Sequence, residues 1–348
     1  MSALFARVVA HRLFWPVVML LVLFLINLIA FPGFFTVTIR DGHLFGSLID
    51  ILRNGAPTLI IAIGMTLVIA TRGIDLSVGA VCAISGAVAC SIILGSSEPG
   101  SLSTVAVAVA VALLIALVLG VWNGFLVAVV GVQPIIATLI LMTAGRGIAM
   151  LITEGQILTV NSPPFKFLGS GFWLGVPIAV LIAAVVFAVA ALVTRRTALG
   201  MFIESVGINP EASRQAGVRA RGLLVVVYTF SAFCAAIAGL ILTANTAAAD
   251  ANNTGLFIEL DAILAVVIGG TSLAGGRYSL VGTLVGALVI QTLVTTVYTV
   301  GIPPIATMVF KAAVVTAVCL LQSPTTAEAL RGFRERLAVR AGKGIAAS

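Results

Sequence analysis

The sequence predicts an all-α integral membrane protein of about ten transmembrane helices, and three observations carry that reading. The 348 residues are 61% hydrophobic and only 9% charged, with a mean hydropathy of +1.23, whereas a soluble domain is about a quarter charged. Apolar runs approaching the ~20 residues that a helix needs to cross a bilayer recur along nearly the whole chain. The basic residues gather at the ends of those runs, as the retention of Lys and Arg on the cytoplasmic side requires. A soluble globule is excluded.

The first run, 14 to 31, follows Arg7 and Arg12. It is too long for the apolar region of a leader peptide, and Phe31-Pro32-Gly33 stands where a small-residue cleavage site belongs, so it reads as a crossing. The next crossings, 55 to 71 and 76 to 95, are joined by the polar segment Thr71-Arg72-Gly73-Ile74-Asp75-Leu76-Ser77. Runs at 103 to 130, 135 to 153 and 173 to 193 follow, and after a long polar interruption come 222 to 243, 259 to 274, 278 to 300 and 304 to 322. Residues 1–13 form a short cytoplasmic N-terminus, 14–322 the transmembrane domain, and 323–348 a basic cytoplasmic tail. The runs 76 to 95 and 259 to 274 are glycine-rich and flanked by charge. Either can be re-entrant or broken, so counts of nine or eleven stay open.

With ten crossings and the N-terminus inside, inner segments hold Arg7 and Arg12, then Arg195, Arg196, Arg214, Arg219 and Arg221, then Arg331, Arg334, Arg336, Arg340 and Lys343. These are twelve of the 19 basic residues, whereas the outer loops hold only Arg40, Arg53 and Lys166 beside Asp41, Asp50, Glu98, Glu154 and Asp250. Both termini are therefore expected in the cytoplasm. The inner loop 194–221 is the long polar interruption. Asn209 suits the cap of a short helix that starts at Pro210, carries Glu211 in its first turn and ends at Gly217. A short surface helix of this kind has the form of a docking element, or else of a solvated connector.

Catalytic signatures are missing from the sequence. There is no HExxH, no GxSxG and no GxxxxGK[ST] loop to cradle nucleotide phosphates, and the two histidines, His11 and His43, lie outside the apolar runs. A pump built on this chain needs a partner to bind ATP and magnesium, and the chain itself calls for no cofactor or metal. Cys82, Cys90, Cys234 and Cys319 sit in apolar stretches without CxxC spacing and read as small hydrophobes. The net charge of +7 follows the membrane topology and does not indicate nucleic acid.

Polar groups at membrane depth are costly, so each is a pathway candidate. Asp75 and Ser77 interrupt an apolar stretch, with Arg72 three residues before Asp75 placed to neutralise it. That segment is either a turn between crossings or part of a gate. Asn123, Gln133 and Thr138 form a second set, and there interhelical hydrogen bonding competes with contact to substrate hydroxyls. Arg146 suits a carbonyl or an acid such as Asp261. A late set, Asn245, Asp250, Asn252, Asn253, Glu259, Asp261 and Gln291, fits a polyhydroxylated ligand or a plain solvated loop. Stacking aromatics are few, Trp15, Trp122 and Trp173 among them, which favours a passage with weak contacts. Gly73 and Val78-Gly79 repeat the spacing of Gly276 and Val281-Gly282, but 35 glycines make such a match ordinary, and no internal repeat is inferred.

Four stretches resemble the permease subunits of ribose-type sugar importers, in the superfamily that also holds branched-chain amino-acid permeases. They are GMTLVIATRGIDLSVGA at 64 to 80, WNGFLVAVVGVQPIIATLILMTAGRGIA at 122 to 149, TALGMFIESVGINPEASRQAGV at 197 to 218 and ELDAILAVVIGGTSLAGGR at 259 to 277. ADANNTGLFIELDAILAVVIGG, GMFIE at 200 to 204 and NSP at 161 to 163 resemble the galactofuranose-importer branch, and Arg72 stands where the ribose-type pattern has a second glycine. The resemblance implies an importer permease fold of about ten helices, a dimer with an identical or related second permease, an ABC ATPase subunit below each, and a periplasmic sugar-binding protein above. The galactofuranose likeness favours a related second chain. It also implies that the inner loop inserts its short helix into a groove of the ATPase, with Gly200, Glu204, Gly207, Asn209, Glu211, Ala212 and Gly217 as the docking positions. The expected seat is the bacterial inner membrane, multi-pass, and the expected role is passage of a monosaccharide by alternating access, not catalysis. A permease for branched-chain amino acids or another small solute is the alternative within the class. A self-contained secondary transporter is the alternative of another class, with Asp75 and Asp261 as the only obvious intramembrane acids for an ion relay.

Overall fold

The computed structural model describes residues 13–40, 42–303 and 306–322. The expected basic tail, the N-terminal arginines, His11 and Asp41 lie outside the described residues, as does the side chain of Cys319. Thirteen α-helices occur among the described residues. They are α1 Phe14–Ala30, α2 Ser47–Ala70, α3 Val78–Leu94, α4 Leu102–Phe125, α5 Pro134–Ile152, α6 Pro163–Ser170 and α7 Ile178–Arg196. Then follow α8 Leu199–Ile208, α9 Pro210–Gln215, α10 Ala220–Thr246, α11 Ile258–Ile268, α12 Leu280–Thr299 and α13 Thr307–Gln322. A π-helical turn, Leu126–Val130, prolongs α4. Three antiparallel two-residue or three-residue strand pairs tie the connections: Thr38–Arg40 with His43–Phe45, Leu158–Thr159 with Ala248–Ala249, and Phe172–Trp173 with Val176–Pro177.

Six of these helical stretches are long and apolar enough to cross a membrane: α2, α4 with its π turn, α5, α7, α10 and α12. In a lipid solvent a helix satisfies its own backbone, and its outward side chains need only be apolar. Accordingly Leu114 and Val118 of α4 and Val185 and Leu192 of α7 are exposed. The inner layer is α2, α3 and α10, with α4 and α12 against it. From Gly55 to Ala70, α2 is buried almost throughout, as expected of a helix apolar on all sides. Small residues set the spacing. Gly120 and Gly124 of α4 face α10, where an added Cβ would lie 2.6 Å from the Cα of Thr229 and of Val225 respectively. That is the GxxxG contact by which membrane helices approach closely.

Two boundaries depart from the sequence expectation. Helix α2 begins at Ser47, eight residues before the expected crossing, because Asp50, Arg53 and Asn54 disguise its first turns. Asp50 suits the positive end of a helix, and Pro57 lies inside α2, where membrane helices tolerate proline among packed neighbours. The run 259 to 274 is not a plain crossing, since α11 has only 11 residues, about 16 Å, and stops at Gly269-Gly270. The broken form left open for this run describes it better, whereas 76 to 95 holds one continuous helix of 17 residues, Val78–Leu94. The starts of α3 and α11 meet, and a Cβ on Gly79 would lie 2.5 Å from Glu259 Oε2 and 2.6 Å from the Gly255 carbonyl.

Candidate docking loop and polar membrane core

The loop between α7 and α10 folds as its residues dictate. Asn209 Oδ1 accepts from the backbone N–H of Glu211 at 3.1 Å and of Ala212 at 3.0 Å, the N-cap of α9, with Pro210 at the first helical position. At the other end Gly217, at φ +86°, donates to Arg214 O, and Val218 N donates to Ser213 O. Those two bonds form a Schellman terminator, whose left-handed residue is usually glycine. Glu211 and Arg214 pair at 2.6 Å on the exposed face, and this partner holds the Glu211 carboxyl below the usual carboxylate range.

The remaining docking candidates divide between surface and foundation. Glu211, Ala212 and Gly217 are exposed, with exposed Met201 and Ile208 on the preceding α8. Glu204 is half-buried. Gly200 and Gly207 are buried. A side chain at Gly207 would strike Ala70 O and Gly276 N, and one at Gly200 would strike Thr194 O. Gly207 therefore seats α8 on the end of α2 and on the turn before α12, where Gly276 N donates to Ala70 O at 2.8 Å.

The polar core lies where α2 gives way to α3. Asp75 is buried, and its Oδ1 accepts from Ser77 N at 3.1 Å and Ser77 Oγ at 2.6 Å, while Oδ2 accepts from Ser231 Oγ of α10 at 2.8 Å. Asn123 Nδ2 of α4 donates to Ser77 Oγ at 2.9 Å, and Thr138 Oγ1 of α5 donates to Ile74 O at 3.1 Å. The segment is thus tied to three different helices by hydrogen bonds, which is what an irregular stretch within a bilayer requires. The expected Arg72–Asp75 pair does not form. Arg72 has φ +65°, which turns its side chain away, and its guanidinium donates to Ile208 O at the end of α8.

The other pathway candidates are dispersed. Asp261 does not meet Arg146; both its carboxyl oxygens accept from Lys311 Nζ of α13, at 2.9 and 2.7 Å, with the two side chains about one-fifth exposed. Arg146 Nη1 instead donates to the carbonyls of Ala251 and Thr254, 2.9 and 2.8 Å away. It clamps the turn in which Asp250 accepts from Asn252 N, Asn253 N and Asn253 Nδ2, bonds that hold the Asp250 carboxyl below the usual range. Exposed Asn245 accepts from Arg53 Nη2 at 2.7 Å. Gln133 is exposed before α5, and half-buried Gln291 of α12 packs against Gly55 of α2. Lys311 and Ser231 escaped the sequence reading. A lone lysine inside the apolar run 304 to 322 was the available signal for the first, whereas a serine in a long apolar run carries little.

A polar, irregular segment is thus held between buried helices, beside a capped loop helix. The class is a transport permease. Residues 47–319 match the family described as the branched-chain amino acid transport system / permease component, and the chain belongs to that family. It is 50% identical over 333 residues to the galactofuranose transporter permease protein YtfT of Escherichia coli, covering 94% of this chain and 95% of that one. It is 41% identical to the fructose import permease protein FruF of Bifidobacterium longum, across 98% and 96% of the two chains. To the ribose import permease protein RbsC of Escherichia coli it is 39% identical, across 87% and 91%. No solved structure matches.

Proposed function

We propose that this chain is the transmembrane permease subunit of an ATP-driven sugar importer. It passes a monosaccharide, galactofuranose or galactose first and a pentose such as ribose second, from a periplasmic binding protein to the cytoplasm by alternating access. The observation that carries the reading is the near full-length similarity to three permeases, each named for a sugar. The family description names amino acids, but those relatives favour the sugar.

In this reading ten elements cross or enter the bilayer: α1 to α5, α7, α10, α11, α12 and α13, with α11 too short to cross alone. Both termini and the loop 194–221 then face the cytoplasm, in keeping with the arginines at 195, 196, 214, 219 and 221. Helix α9 enters the groove of an ABC ATPase subunit, which binds the ATP and magnesium. A second permease, identical or related, completes the passage, and the Asp261–Lys311 pair, Gln133, Asn245 and Gln291 supply polar groups along it. Asp75, Ser77, Asn123 and Thr138 hold the irregular segment whose movement opens one side and closes the other. Uptake of labelled galactofuranose, galactose, fructose and ribose by cells carrying the complete importer tests the proposal. Entry of at least one sugar, abolished by ATP depletion, is the expected result; uptake that persists without ATP and collapses with the proton gradient overturns it.

A further inference from the structure

Arg72 occupies an unusual backbone position. At the end of α2, Arg72 N donates to Ile69 O and Gly73 N to Val68 O, which makes Arg72 the left-handed residue of a Schellman terminator, at φ +65°. Glycine is the ordinary occupant there, and an arginine is conformationally disfavoured. The compensation lies in its side chain. The guanidinium donates to Ile208 O, the last carbonyl of α8, next to Asn209, the cap of α9. The stem of Arg72 lies against Gly275, where a Cβ would collide with it.

Three residues beyond, Asp75 is fastened to Ser231 in the core of α10. We propose that Arg72 is the positioning residue that couples the docking helix to the polar membrane core. It carries displacement of α9 through Ile208 to the 71–77 segment, and so to Asp75. The proposal rests on the reading of 194–221 as the ATPase-docking loop. Its physical content is short: one charge-assisted hydrogen bond at the root of the docking helix, and three residues of chain to a carboxyl held by another helix.

Arg72→Gly separates this role from a structural one, because glycine accepts φ +65° and keeps the terminator while removing the guanidinium. Two readouts are made on the complete importer in lipid vesicles, with permease, ATPase and binding protein: sugar moved per ATP hydrolysed, and amide hydrogen exchange across 205–218. The variant is expected to co-purify with the ATPase and hydrolyse ATP, yet to move about tenfold less sugar per ATP, the order set by loss of a charged hydrogen bond. Exchange across 205–218 is expected to rise while α4 and α5 stay protected. Arg72→Lys, which keeps the charge without the planar fork, is expected between the two and carries the same readouts if the glycine variant does not fold. An unchanged sugar-to-ATP ratio, or unchanged exchange in the loop, overturns the coupling role. If wild type moves no sugar with ATP, the docking reading itself fails and this proposal with it; if wild type transports and only the variants are indifferent, the role of Arg72 alone fails.

Discussion

Removing the hydroxyl of Ser231 isolates the bond that joins α10 to Asp75. In Ser231→Ala the shape of the site is kept, since the Cα of Ser231 already lies where Gly64 leaves room for it, at 2.9 Å from that glycine's would-be Cβ. What is lost is the 2.8 Å donor to Asp75 Oδ2, at a place where both residues are buried. Leaving one buried acceptor without its donor costs about 1–3 kcal/mol. The other oxygen keeps both Ser77 donors, so the lower half of that range, about 1–2 kcal/mol, is the expected loss. Reversible unfolding in mixed detergent micelles measures it for wild type, Ser231→Ala, Asp75→Ala and the double variant. If the bond is the link described, the serine substitution costs less than about 0.5 kcal/mol once Asp75 is gone, giving a coupling near 1 kcal/mol. Additive losses would show that the two residues act separately and would refute the picture of a tethered segment.

Other expectations follow from the same geometry. Lys311→Met should cost about 2 kcal/mol in the same unfolding assay, between the values for exposed and fully buried pairs. Adding Asp261→Asn should recover part of that loss, whereas a further additive loss would show that the pair is not coupled. Asn209→Ala removes the cap of α9, worth about 1 kcal/mol, and should speed tryptic cleavage at Arg214 and Arg219 about fivefold. Gly207→Ala drives a methyl into Ala70 O and Gly276 N, and about 1–3 kcal/mol of overpacking should lower the yield of folded protein in membranes. For Glu211, whose carboxyl is held low by Arg214, the pair's contribution is fully present above the unfolded value of 4.5 and lost only as pH falls through the lower folded value. ATPase binding should therefore be unchanged between pH 7 and pH 5.5, and a loss in that window would contradict the pairing.

Local chemistry was legible in the sequence wherever it is self-contained. The start of α9 at Asn209-Pro210 and its end at Gly217 follow from caps whose donors and acceptors lie within a few residues. The apolar runs gave α1, α4, α5 and α12 close to their ends, because in lipid the backbone of each run must satisfy itself. Partners across the fold were not legible. Asp261 meets Lys311 fifty residues away, and Asp75 meets Ser231 across 156 positions, relations that no spacing rule encodes. Arg72 misled for a different reason. Its distance of three from Asp75 suggests a pair at a helix break, but the left-handed backbone at Arg72 sends the guanidinium to the loop instead. The first turns of α2 were hidden by their polarity, and the shortness of α11 by the apolar glycine-rich residues that prolong its run.

The central claim is that the loop helix α9 receives the work of a separate ATPase. The most direct measurement compares wild type with Glu211→Arg for ATP-dependent uptake of galactofuranose, after equal amounts of each chain have been verified in the membrane. The account predicts that the exposed charge reversal on α9 abolishes uptake and releases the ATPase subunit while the permease stays folded. Undiminished uptake with the ATPase still bound would contradict it.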